Sequence, residues 1–143
     1  MSEGLLTHKG VVYPWQCDHM GHMNVMWYVG KFDEATWQLI FAMGMTPSLM
    51  RAANRGMVAV EQTIAYKREL HAGDVISIRS TVLEVKDKSI RFQHEMRNDE
   101  TGDMAASTVL VGVHLDTGAR KATSLPALVA ERARALIVKE NAS

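Results

Sequence analysis

Val25-Met26-Trp27-Tyr28-Val29-Gly30-Lys31-Phe32-Asp33-Glu34-Ala35-Thr36-Trp37-Gln38-Leu39-Ile40-Phe41-Ala42-Met43 is the stretch whose reading decides the fold of this 143-residue chain. Val25, Tyr28, Val29, Phe32, Thr36, Leu39, Ile40 and Met43 recur at helical spacing. Trp27, Trp37 and Phe41 add apolar bulk to the neighbouring faces, while Lys31, Glu34 and Gln38 leave a narrow polar stripe. A helix apolar over most of its girth is surrounded by protein on most sides. Asn24 is a good N-cap for it, and Gly44 suits the position after its end.

The segments around this helix read as strands. Val11-Val12-Tyr13 and its neighbours form a first strand that Pro14 ends. Thr46-Pro47 opens a short helix that Gly56 closes. The period then changes to two. Val58, Val60, Ile64 and Tyr66 alternate with Ala59, Glu61, Ala65 and Lys67. After the turn Ala72-Gly73-Asp74, Val75 to Val85 is a strand, and Lys86-Asp87-Lys88 turns it into another, Ile90 to Arg97. Met104 to Leu115 is nearly all small or β-branched and reads as a strand buried on both faces. Ser124-Leu125-Pro126 leads into a terminal helix from Ala127 to Lys139. Strands and helices are segregated, which argues for an α+β domain spanning residues 1–143. A long helix apolar on most faces needs a sheet curved around it.

Composition narrows the function classes. Basic and acidic residues balance at 16 each, with no basic stripe, so nucleic acid is not expected as a partner. No run of about 18 apolar residues occurs, and no membrane span or leader peptide is expected. One cysteine, Cys17, cannot form an internal disulfide, which fits a reducing, cytoplasmic setting.

Between the first strand and the long helix lies Cys17-Asp18-His19-Met20-Gly21-His22-Met23-Asn24. It sets a carboxylate in a Gly-containing turn just before the exposed N–H groups that open a helix. That is a sensible place to attack a polarised carbonyl. His19 and His22 are three apart, but no second His or Cys cluster completes a metal site, and none is expected. Cys17 reads as a small buried residue rather than a thiol nucleophile.

With Asp18-x-x-Gly21-His22-x-Asn24, Tyr28 and Phe32-Asp33-Glu34-Ala35, the chain resembles the hotdog-fold acyl-CoA thioesterases of the 4-hydroxybenzoyl-CoA thioesterase-like family. Ile64-Ala65-Tyr66-Lys67-Arg68-Glu69-Leu70 before Gly73-Asp74, and Leu125-Pro126 before the last helix, extend the match from about Val11 to Leu136. Many members carry a second Asn where this chain has Val25.

The resemblance implies a curved antiparallel sheet of about five strands wrapped around a central helix. It implies dimers, often paired into tetramers, with sites at the subunit interface. It implies hydrolysis of an acyl-CoA thioester without a cofactor, Asp18 attacking directly or activating water. The oxyanion falls at the helix N-terminus, served by backbone N–H groups at Val25. Asn24 organises the loop, Gly21 supplies a backbone angle or a close approach, and His22 braces the turn or meets substrate.

Glu61 is a rival carboxylate whose plainer reading is a solvent-facing strand residue. Lys67, Arg68, Lys86, Lys88 and Arg91 are candidate partners for the CoA phosphates. Met20, Met23, Met26, Trp27 and Met57 are candidates for an apolar acyl pocket. Two alternatives stand beside the thioesterase: an acyl-thioester dehydratase or hydratase on the same fold, and a non-catalytic acyl-CoA binding module.

Overall fold

The computed structural model describes residues 4–137. The helix expected from Asn24 and Gly44 spans Val25–Ala42 (α1), and Met43 is its C-cap. Asn24 caps it with Oδ1 accepting the Met26 N–H at 3.0 Å. Gly44 follows at φ +96°, a conformation that opposes any side chain.

Five strands form one antiparallel sheet: β1 (Leu5–Val11), β2 (Arg55–Tyr66), β3 (Val75–Val85), β4 (Ser89–Asn98) and β5 (Met104–Asp116). Their order is β1-β3-β4-β5-β2, and a two-residue β6 (Lys121–Ala122) adds to β5. A short α2 (Pro47–Ala53) precedes β2, and α3 (Ala127–Ala135) closes the described chain. No helix is long and apolar enough to cross a membrane among the described residues.

Several expectations are corrected. The first strand lies earlier, at Leu5–Val11, and Pro14–Gln16 is a turn of 3-10 helix. Asn54 ends α2 in the left-handed region at φ 53°, so Gly56 already belongs to β2. β5 is buried mainly on one face: Ala106, Thr108, Leu110 and His114 point inward, whereas on the opposite face Ala105 is buried but Val109, Val111 and Val113 are half-buried. The last helix stops at Ala135, Leu136 caps it, and Ile137 pairs with Val82; Lys139 lies outside the described residues.

The sheet covers α1 on one side. Tyr28, Phe32, Ala35, Leu39 and Ile40 are buried, whereas Val29, Trp37 and Phe41 are exposed. The apolar girth read from the sequence therefore divides into a core face and an open face. Two apolar clusters sit under the helix. Phe32 and Ala35 pack with Ile76, Ile78 and Met96 near its start. Leu39 and Ile40 pack with Val82, Ile90, Phe92 and α3's Val129 near its end.

Candidate active site

The signature turn is built by short-range hydrogen bonds. The Asp18 N–H donates to His22 O at 2.9 Å, and the Gly21 N–H donates to Asp18 O at 3.0 Å. Gly21 has φ +82°, and a Cβ there would meet nothing within 4 Å. Within the protein itself, Gly21 therefore serves the backbone angle, and no protein atom approaches it closely. Asp18 Oδ1 accepts the Met20 N–H at 2.9 Å, an Asx-type contact that orients the carboxylate.

The turn is clamped to the β2–β3 connection. The Met23 N–H donates to Leu70 O at 2.8 Å, and both side chains are buried. His22 Nε2 lies 3.0 Å from Glu69 Oε2, so His22 braces the turn through its side chain as well. The result is an open cleft of about 390 Å³ lined by Asp18, His22, Met23, Val25, Tyr28, Tyr66, Lys67, Arg68 and Glu69. Tyr28 and Tyr66 meet edge to face across it, with centroids 5.2 Å apart. Burial raises the Tyr28 phenol above its ordinary pKa and keeps it protonated.

The helix start offers fewer free amides than its length suggests. Asn24 claims the Met26 N–H with its side chain and the Trp27 N–H with its carbonyl at 2.9 Å. The Val25 N–H has no backbone acceptor among the described residues. It is a first-turn amide left open, on a residue that lines the cleft.

The other expected residues separate. Lys67 and Arg68 line the cleft. Lys86 and Lys88 follow β3, a strand about 33 Å long by its rise, at the end remote from the Gly73-Asp74 turn, and do not line the cleft. Arg91 pairs with Glu84 at 3.7 Å instead. Glu61 stands opposite Val111 on the outer face of the sheet and is exposed. Cys17 is half-buried, its Sγ 3.8 Å from Tyr13 O. Of the apolar candidates, Met23 lines the cleft and Met57 lines a second groove between α1 and β2. Met20 and Met26 are exposed, and Trp27 packs against the core.

Spacing alone misses Glu69 and His71. They lie about fifty residues from Asp18, and the Met23–Leu70 clamp and the His22–Glu69 contact bring them to the turn. His19 does not join them, and His71 does: its ring meets the His22 ring edge-on at 5.1 Å.

An antiparallel sheet curled about one long helix, with a carboxylate-bearing turn at the helix start, is the hotdog fold of the thioesterases. The chain belongs to the thioesterase-like superfamily, whose profile matches residues 12–133. It is 28% identical over 122 residues to an L-carnitine dehydrogenase/betainyl-CoA thioesterase of Agrobacterium fabrum. That match covers 85% of this chain but spans only 25% of that relative's length.

Among solved structures, a Staphylococcus aureus protein in complex with CoA superposes with a TM-score of 0.88 at 16% identity, covering 99% of this chain and 91% of that one. A 1,4-dihydroxy-2-naphthoyl-CoA thioesterase from Synechocystis superposes at 0.81 with 17% identity, covering 92% and 96%. At these identities the likeness is one of fold.

Proposed function

We propose that the chain hydrolyses acyl-CoA thioesters to a carboxylic acid and free CoA, with Asp18 as nucleophile or general base. The observation that carries this reading is Asp18 lining a cleft beside the first turn of α1. A carboxylate there reaches a thioester carbonyl directly or through one water. The Val25 N–H is the donor for the oxyanion, a role worth about 3 kcal/mol of barrier. Asn24 holds that amide in register through the cap, and His22 holds the turn through Glu69.

Lys67 and Arg68 on the cleft wall suit the anionic phosphates of CoA. The relatives named for betainyl-CoA and naphthoyl-CoA hydrolysis support the thioester class. The chain works as a homo-oligomer, a dimer or a dimer of dimers, in a reducing compartment such as the cytoplasm. β2 is a free sheet edge and α1 keeps an apolar open face, which supports the oligomer.

The test is a thiol-release assay over aromatic, short-chain, medium-chain and betainyl CoA esters. Asp18→Asn keeps an oxygen for the Met20 N–H, so the turn survives while the reactive carboxylate is lost. Its rate should fall by at least about 100-fold. An inert wild type defeats the reading, and a fully active variant shows that another residue does the work. A hydratase would alter the acyl chain without freeing thiol, and a binding module would do neither.

A further inference from the structure

We propose that His22, Glu69 and His71 form a divalent transition-metal site at the mouth of the Asp18 cleft. One ligand atom from each lies within 4.8 Å of the others. His22 Nε2 and Glu69 Oε2 are 3.0 Å apart. Two ligands of one tetrahedral zinc ion, bound at about 2.0–2.1 Å, sit roughly 3.3 Å from each other. That pair is therefore already at ligand spacing. The side chain of His71 is 59% exposed, so its ring turns inward without displacing core atoms.

The backbone holds the three in place. Glu69 and His71 flank Leu70, whose side chain is 1% exposed and whose carbonyl accepts the Met23 N–H at 2.8 Å. This clamp fixes the segment carrying two ligands against the turn carrying the third. An outer carboxylate is present too. Asp74 Oδ2 accepts the His71 N–H at 2.8 Å and lies 4.0 Å from His71 Nδ1. Carboxylates in that position orient metal-bound imidazoles by taking the other ring N–H.

The donor set selects the ion. Two imidazoles and one carboxylate suit Zn²⁺, Co²⁺ and Ni²⁺, with a coordination position left open to water or substrate. Ca²⁺ and Mg²⁺ prefer all-oxygen shells and are poorly served here. A bound ion would replace the His22–Glu69 hydrogen bond at the cleft wall.

The experiment is isothermal titration of chelator-stripped protein with ZnCl₂, repeated with CoCl₂ under visible absorption. We expect one ion per chain and a Co²⁺ spectrum of low coordination number. His71→Ala and Glu69→Gln should each weaken binding by at least about tenfold, with circular dichroism unchanged. His8→Ala, at the separate His8–Glu34 pair, should leave the isotherm where it was. Absence of Zn²⁺ binding, an isotherm unmoved by His71→Ala, or equal binding of Ca²⁺ overturns the proposal. These readings do not depend on thioester hydrolysis, so the site stands or falls apart from the activity above.

Discussion

Nε2 of His94 lies 2.8 Å from Oγ1 of Thr36 and ties the sheet to the central helix inside the core. The contact belongs to a row of polar side chains. β3, β4 and β5 bring Ser80, His94 and Thr108 into one cross-strand line, and Thr7 joins from β1. Ser80 Oγ is 2.5 Å from His94 Nδ1, and Thr7 Oγ1 is 2.7 Å from Ser80 Oγ. The row separates the two apolar clusters. Thr36 donates its hydroxyl proton to Phe32 O at 3.0 Å, so its oxygen accepts from His94 Nε2–H. Nδ1 is then the acceptor for Ser80. Thr36, His94 and Ser80 each have a partner for their proton in this row when His94 is neutral, and a second ring proton would face the Ser80 hydroxyl.

Acid should therefore weaken the fold through His94. The residue is fully buried, and desolvation lowers its pKa from 6.5 to about 4. Above 6.5 both folded and unfolded chains carry a neutral ring, and the term is zero. As pH falls from 6.5 towards 4, the unfolded chain takes the proton first and stability drops. The full loss is about 3 kcal/mol, from a shift of 6.5 to about 4. Urea denaturation from neutral pH down to pH 4 measures it. Other groups titrate in the same window, so His94→Gln is the reference. It should remove most of that slope, and identical slopes would refute the assignment.

Gly21→Ala tests whether the signature turn needs only a backbone angle. The open space around the position removes any steric cost, and the positive φ of +82° remains. A left-handed alanine costs about 1–2 kcal/mol. Gly21→Asn, a residue that visits this region, should recover part of it. Equal stabilities of all three proteins in a denaturant titration would contradict the geometry.

What the sequence showed and what it hid follow from the kind of interaction involved. α1 was legible from Asn24, Gly44 and its apolar period, because caps and periodicity are local. β3 was legible from Gly73-Asp74 at one end and Lys86-Asp87-Lys88 at the other. β1 was not, because Thr7, His8, Lys9 and Gly10 carry a weak strand signal; its pairing with β3 sets its conformation. His94 reads as a lone strand histidine until the register aligns it with Ser80 and Thr108. Asp18, Gly21 and Asn24 could be picked from one motif. Glu69 and His71 could not, since contacts between segments distant in sequence bring them there.

Asn24→Ala should cost about 1 kcal/mol by removing the cap on α1. The backbone contact of the Asn24 N–H with Gln16 O at 2.8 Å does not depend on the side chain, so the loop should keep its path. Asn24→Ser restores an oxygen acceptor and should restore most of the stability. Thermal melts of the three proteins decide this. If serine behaves like alanine, Asn24 does something other than cap.

Trp37→Glu should separate an oligomer into single chains. Val29, Trp37 and Phe41 share one side of α1 at helical spacing, with Trp37 51% and Phe41 58% exposed. Beside them runs the groove between α1 and β2, lined by Val29, Trp37, Ile40, Met57 and Leu110. β2 is the last strand of the sheet, and Val58 and Val60 are exposed on it. An unpaired strand edge next to an apolar helix stripe is a surface that a soluble protein covers. A second copy of the chain would supply both a strand and a stripe, and the contact would then be self-complementary. Light scattering should give a multiple of the 15.9 kDa chain mass for the wild type. Trp37→Glu buries a charge in that contact, and Val60→Lys places one on the strand edge. Each should shift the mass towards one chain, and a wild type that already runs as one chain would defeat the assignment.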